Sequence, residues 1–409
     1  MLNFKSYLRE EKNTHMEHLE DNVLNAGVAG AREALDFIEH LRDTLQGSTG
    51  KKVNMSVKWD GAPAIFAGVD PTDGKFFVAK KGVFNKTPKV YKTPADVDAD
   101  TSGELNEKLK DALKYCSKLG IKGVVQGDFL FSKKDLKVQT INGQKFITFH
   151  PNTIVYAYPF DSASAATIKR ARIGIVWHTS YSGSSFETMK ATYNQAITAS
   201  LRPSKDVWCT DAIYRDASGT AAMTKAETAE LNDVLDKAEA CFRGIDKKSL
   251  DSISDNEEFL ILVKTYNNTK VRAGEKITDT SKHVDGLVDY ITGKFTKDAA
   301  KLKTEKGKAG VEAKKNSILS YMANTPKEQM VRIFDLMNYI VDCKHILVYK
   351  LQALKKVDTF LKTNAGFRKT GHEGFVVSDH LNKTAVKFID RNEFSFANFS
   401  PDVLKGWMR

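Results

Sequence analysis

Lys58-Trp59-Asp60-Gly61 puts an amine, a carboxylate and a glycine within four residues, between two short apolar runs. A lysine attacks as a nucleophile only when neutral, a state that neighbouring cations or a bound metal ion favour by lowering its pKa. Lys80, Lys81 and Lys387 are the candidate neighbours. Gly61 permits close backbone approach to a ligand, and Pro63 stiffens the exit of the loop. Three more segments follow in order: Lys81-Gly82, Gly127-Asp128-Phe129, and Glu373-Gly374-Phe375-Val376-Val377 with Lys387 behind it. Lysines with carboxylates that can hold magnesium suit phosphoryl chemistry, which needs positioning and charge neutralisation more than elaborate organic groups.

These residues need strands to hold them. Val53 to Val57, Ala64 to Ala67 and Phe76 to Ala79 read as strands, with Asp70-Pro71-Thr72-Asp73-Gly74 as a hairpin turn. Further strands are expected over Gly123 to Phe131, Lys145 to Phe149, Thr153 to Tyr158 and Ile173 to His178, and again over Gly374 to Val377 and Ala385 to Ile389. Residues 14–46 carry Leu24, Val28, Ala31, Leu35, Ile38, Leu41 and Leu45 at helical spacing, with Gly27 and Gly30 allowing a break. Residues 103–118 read as an amphipathic helix, and the polar segment from Asp96 to Gly103 as a loop. From about 225 to 363 long helices dominate. A sheet that stops, yields to helices and resumes implies an insertion. The divisions are an N-terminal helical segment (1–50), a first sheet-bearing part (51–224), a helical insertion (225–365) and a last sheet-bearing part (366–409).

The net charge of +11 suggests a polyanionic partner, nucleic acid above all. The lysine-rich stretch from Lys294 to Lys315 is either a solvated helix face or a contact with such a strand. Cys116, Cys209, Cys241 and Cys343 form no CxxC pair, which argues against a zinc site or a disulfide framework. His15 and His18 lack the spacing and third ligand of a metal site, and fit an N-terminal helix packed on the catalytic domain. His372 is expected to face solvent or the sheet. No signal peptide or transmembrane stretch is legible, so a soluble cytoplasmic monomer is expected.

The ordered segments resemble the covalent nucleotidyltransferase superfamily, which includes polynucleotide ligases and messenger-RNA capping enzymes. The similarity covers residues 58–82, 124–131 and 371–389. It implies an α+β adenylation domain of mixed and antiparallel sheets with a large helical insertion. It further implies that Lys58 attacks the α-phosphate of ATP, expels pyrophosphate and becomes a lysyl-AMP phosphoramidate. Asp60 and Gly61 would belong to the nucleotide site, and Lys81 would hold a phosphate or the incoming polynucleotide. Asp128, where the family commonly has Glu, would contact the ribose or a magnesium-bound water. Glu373 would orient catalytic Mg2+, and Lys387 would neutralise the α-phosphate. Trp177 is the aromatic best placed to stack on adenine. AMP would then pass to a 5′-phosphate and be displaced by a 3′-hydroxyl.

Two positions depart from the family pattern: Pro63 stands where Arg is frequent, and Ala385 where the first of two lysines is usual, with Lys383 as a substitute from the turn. Only 22 residues follow Lys387, too few for the C-terminal OB-fold of DNA ligases and capping enzymes. The expectation is therefore an ATP-dependent ligase of the phage RNA-ligase type, host-cytoplasmic if phage-encoded. A DNA ligase with a helical clamp, nucleotide transfer to an RNA end without sealing, and an inactive nucleic-acid-binding or assembly protein on the same fold are the alternatives.

Overall fold

A computed structural model describes residues 18–46, 55–193, 195–214, 222–352, 357–378 and 385–408; His15 and Lys383 lie outside these. The chain is α+β, with largely antiparallel sheets. Its strands are β1 (Met55–Lys58), β2 (Ala64–Val69), β3 (Phe76–Ala79), β4 (Val124–Ser132), β5 (Lys137–Ile141), β6 (Gln144–Phe149), β7 (Ile154–Pro159), β8 (Ile173–Ser182), β9 (Lys190–Tyr193), β10 (Val207–Asp211), β11 (Ile213–Tyr214), β12 (Asp358–Thr363), β13 (Gly366–Lys369), β14 (Gly374–Ser378) and β15 (Ala385–Phe388). They form three sheets. One has the order β11-β1-β14-β15, the second β10-β8-β4-β2-β3 with β9 also on β8, and the third β13-β12-β7-β6-β5. The pairing of β8 with β10 is parallel.

Alternation along the strands assigns each sheet face its partner. Ile65, Ala67, Val125, Phe129, Ile173, Ile175 and Trp177 of the second sheet pack on Leu109, Ala112, Leu113 and Cys116 of the helix Gly103–Cys116. Leu130, Phe131 and Val176 share a core with Ile147, Phe149, Ile154, Tyr156 and Tyr158 of the third sheet.

The first sheet rests on helices. Phe375 of β14 and Phe388 of β15 are buried in the core formed by the helix Asn22–Leu45 and the helices between Lys225 and Gln352. Burying each phenyl ring contributes about 1.5–3 kcal/mol. The described N-terminal helix, Asn22–Leu45, and the helices between Lys225 and Gln352 thus share one hydrophobic core with the sheet that carries Lys58. The break allowed by Gly27 is present: Ala26 and Gly27 leave helical geometry, and the freed N–H of Val28 donates to Asp251 at 2.8 Å.

Two other assignments need correction. The segment read as a loop, Asp96 to Gly103, overlaps the helix Pro94–Asp100, whose start is fixed by a Thr93–Asp96 capping box with Pro94 in the first turn. Strand structure resumes at Asp358, not after Gly366, because β12 pairs with both β7 and β13. The lysine-rich stretch spans parts of two helices, Thr280–Ala300 and Glu305–Ala323, and much of its charge is locally compensated. Lys294 and Lys301 pair with Asp298, Lys308 with Glu305, Lys314 with Glu258 and Lys315 with Glu312.

Candidate active site

The first and second sheets face each other across a cavity of about 410 Å3. Ser56, Val57, Lys58, Val376 and Lys387 line it from β1, β14 and β15; Ala64, Phe66, Gln126, Asp128, Val176, His178, Thr179 and Tyr181 line it from β2, β4 and β8. Lys81 and Phe84, in the short helical turn after β3, close one side. Lys58, Lys81, Asp128 and Lys387, separated by more than 300 residues of sequence, therefore meet at one concave surface.

Register explains how Lys58 meets Glu373. Lys58, the last residue of β1, lies opposite Gly374 on β14, which puts the preceding Glu373 beside it, and the two side chains form an ion pair. Burial acts to depress the lysine pKa, but the charge and hydrogen bond of Glu373, with Asp128 and Asp60, outweigh it and hold the pKa above the ordinary value. The cations expected to activate Lys58 do not govern it: Lys80 pairs with Asp100 at 3.0 Å. Burial pushes Glu373 up to about 7 against the attraction of Lys58, with Asp60 and Asp128 adding to the rise. Glu373 sits behind Lys58 and is not part of the cavity lining.

Asp60 also turns away from the cavity. Its carboxylate accepts from the Asn152 side chain at 2.6 Å and from the backbone N–H groups of Thr153 and Ile154 at 2.6 and 2.9 Å; its own N–H donates to the Tyr156 hydroxyl at 2.6 Å. This carboxylate, for which the family resemblance implied a place in the nucleotide site, ties the loop after Lys58 to the turn before β7. Gly61 has a packing reason: a Cβ there would lie 2.5 Å from the Cβ of Asp128.

Trp177, expected to stack on adenine, is fully buried on the opposite face of β8, against the helix Gly103–Cys116. The aromatic lining comes instead from Phe66, Phe84, Tyr181, Tyr193 and Trp59. A register shift makes this wall: Gln126 pairs with Thr179 but Gly127 with Trp177, so His178 is an extra residue and both His178 and Thr179 reach the cavity. Sequence reasoning missed Gln126, His178 and Tyr181. Strict alternation from Trp177 would have pointed to His178, whereas a bulge carries no sequence mark here.

Asp128 has burial raising its pKa, opposed by His178, whose Nε2 lies 3.7 Å from its carboxylate, and by Lys58. Burial lowers the pKa of His178. Among the described residues, no group of three or more His, Cys, Asp and Glu side chains forms a metal site. Magnesium bound with substrate phosphates and water needs only one or two protein carboxylates. Asp128 in the cavity wall fits that demand; Glu373, engaged by Lys58, fits it less directly. The size and the mixed aromatic and cationic lining suit a nucleotide.

The chain belongs to DUF6267, a family of unknown function, whose model matches residues 13–402. That span takes in the cavity, the helical block and the C-terminal strands together. No curated protein and no solved structure matches the chain. Among the described residues no helix is long and apolar enough to cross a membrane.

Proposed function

We propose that the protein is an ATP-dependent polynucleotide ligase, with RNA ends favoured, and that Lys58 carries AMP between ATP and the strand. The observation that supports this best is the convergence of Lys58, Lys81, Asp128 and Lys387 on one aromatic-lined cavity, with Glu373 hydrogen-bonded to the nucleophile.

In this reading the Lys58 amine forms a P–N bond to the α-phosphorus while the bond to the β-phosphate oxygen breaks and pyrophosphate leaves with the electron pair. Glu373, the carboxylate in contact with the Lys58 ammonium, takes its proton as the P–N bond forms. This role replaces metal orientation as the main task of Glu373. Lys387 and Lys81 offset phosphate charge at the cavity wall, and Phe66 or Tyr181 packs on the base. Mg2+ held at Asp128 would supply further charge neutralisation when bound. A 5′-phosphate oxygen then attacks the AMP phosphorus, the P–N bond breaks and Lys58 recovers its proton; a 3′-hydroxyl finally displaces AMP.

A panel of 5′-labelled nicked duplexes and single strands, in RNA and DNA versions, tests the strand assignment. Sealing converts the labelled strand into a longer product on a denaturing gel, and is expected with RNA ends. Transfer of AMP to the 5′-end without the longer product would mark a nucleotidyltransferase that does not seal, and sealing of DNA nicks alone would favour the clamp-type DNA ligase.

A further inference from the structure

The cavity lysine Lys387 stands on a strand whose rear is anchored by buried charge. Phe388, its neighbour, is fully buried in the helical core with its ring centroid 5.5 Å from that of Phe37, so Lys387 projects to the opposite side, into the cavity. His18 pairs with Lys387 in a single parallel bridge, which joins β15 to the start of the N-terminal helix. Immediately beyond His18, Glu20 meets Lys344 of the helix Lys327–Gln352 at 2.7 Å, with both side chains almost wholly excluded from solvent. Arg391, three residues after β15, reaches Asp21 at 3.0 Å, Glu20 at 3.6 Å and the Asn268 side chain at 2.6 Å.

We infer that the Glu20–Lys344–Arg391–Asp21 network is a positioning device that fixes β15, and through it Lys387, against the helical block. Burying two carboxylates and two cations is costly, and apolar residues of equal volume commonly stabilise a core as well or better. What charges provide that apolar groups do not is one defined arrangement. Here that arrangement clamps both sides of a four-residue strand: His18 to Asp21 flank it in space, and Arg391 follows it in sequence. The helical insertion thus serves the cavity from behind as a scaffold. A role for Lys387 in AMP transfer rests on the function proposed above; the anchoring of β15 does not.

The test uses the full chain carrying Glu20→Gln and Lys344→Met together, which removes opposite charges and keeps volume, with Arg391→Lys as a milder second variant. Folding is checked by circular dichroism. Amide hydrogen exchange over residues 385–388 is expected to accelerate about tenfold in the double variant and less in Arg391→Lys, while β6 and β7 keep wild-type exchange. Unchanged exchange at β15 in the folded double variant, or equal acceleration in β6 and β7, would overturn the inference. Covalent labelling by ATP supplies the readout at the cavity: kcat falls about tenfold with KM within twofold, and the substitutions add nothing in a Lys387→Ala background. A full further loss in that background overturns the positioning role. If β15 loosens as expected but wild-type protein takes no label, the ligase reading fails and the anchoring of β15 stands.

Discussion

Asp60→Ala isolates what the carboxylate in the Lys58 loop does. Asp60 is 4 % exposed, and its carboxylate accepts three hydrogen bonds, two of them from the backbone N–H groups of Thr153 and Ile154. Each buried donor left unpaired costs roughly 1–3 kcal/mol. Two such donors give about 4 kcal/mol, and loss of the Asn152 contact adds to this. Asp60→Asn keeps one acceptor, and Asn152 can turn its amide to meet the new NH2, so weakening of charge-assisted bonds costs only about 2 kcal/mol. Urea denaturation should show the midpoint falling in the order wild type, Asn, Ala, with the slope unchanged. Asn152→Ala combined with Asp60→Ala should cost less than the sum, because the two residues share one bond. An Asp60→Ala protein that unfolds at the wild-type urea concentration yet loses ATP affinity would refute the reasoning, since the carboxylate would then act on the ligand and not on the turn.

Glu373 should leave a mark on the pH dependence of stability. Its folded pKa, pushed up to about 7 by burial against the attraction of Lys58, exceeds its ordinary value. The folded state thus holds a proton the unfolded chain has released, and unfolding free energy declines as pH rises through that window. Glu373→Gln is expected to flatten the decline in urea midpoints; an identical slope in the variant would assign it to another group. Trp177→Ala should cost about 3–5 kcal/mol through the cavity it opens, and Trp177→Phe, which folds more readily, should bind ATP like wild type by calorimetry, whereas Tyr181→Ala or Phe66→Ala weakens binding. Gly61→Ala forces Asp128 and the Lys58 loop apart, and should depress ATP labelling at least tenfold with Asp128 still present; unaffected labelling would show that the close approach is dispensable.

The order of Lys58, Lys81, Asp128, Glu373 and Lys387 was legible because each lies on or beside a short apolar run that reads as a strand. Their shared cavity was not, since β1 pairs with β14 across more than 300 residues and only long-range register puts Gly374 opposite Lys58. The contacts of Asp60 were hidden for a related reason: its partners, Asn152 to Ile154, lie in the turn that leads into β7 and at the start of that strand, in a different sheet. Trp177 could not be assigned to a face from composition, because β8 is apolar on both sides, and the register shift at His178 resets the alternation beyond it. The helices from about 225 to 363 were recognised as a block from a composition dominated by Ala, Lys, Glu and Leu with few strand signals. Nothing in that composition reveals that their core also receives Phe375 and Phe388, which ties the insertion to the strands on either side of it.

The central claim is that Lys58 accepts AMP. Wild-type protein incubated with α-labelled ATP and magnesium, then denatured and digested, should yield one labelled peptide containing Lys58, with an acid-labile bond and stoichiometric pyrophosphate. Lys58→Ala, shown to be folded, should take no label. Absence of label on wild-type protein, or label that persists in Lys58→Ala, would contradict the account.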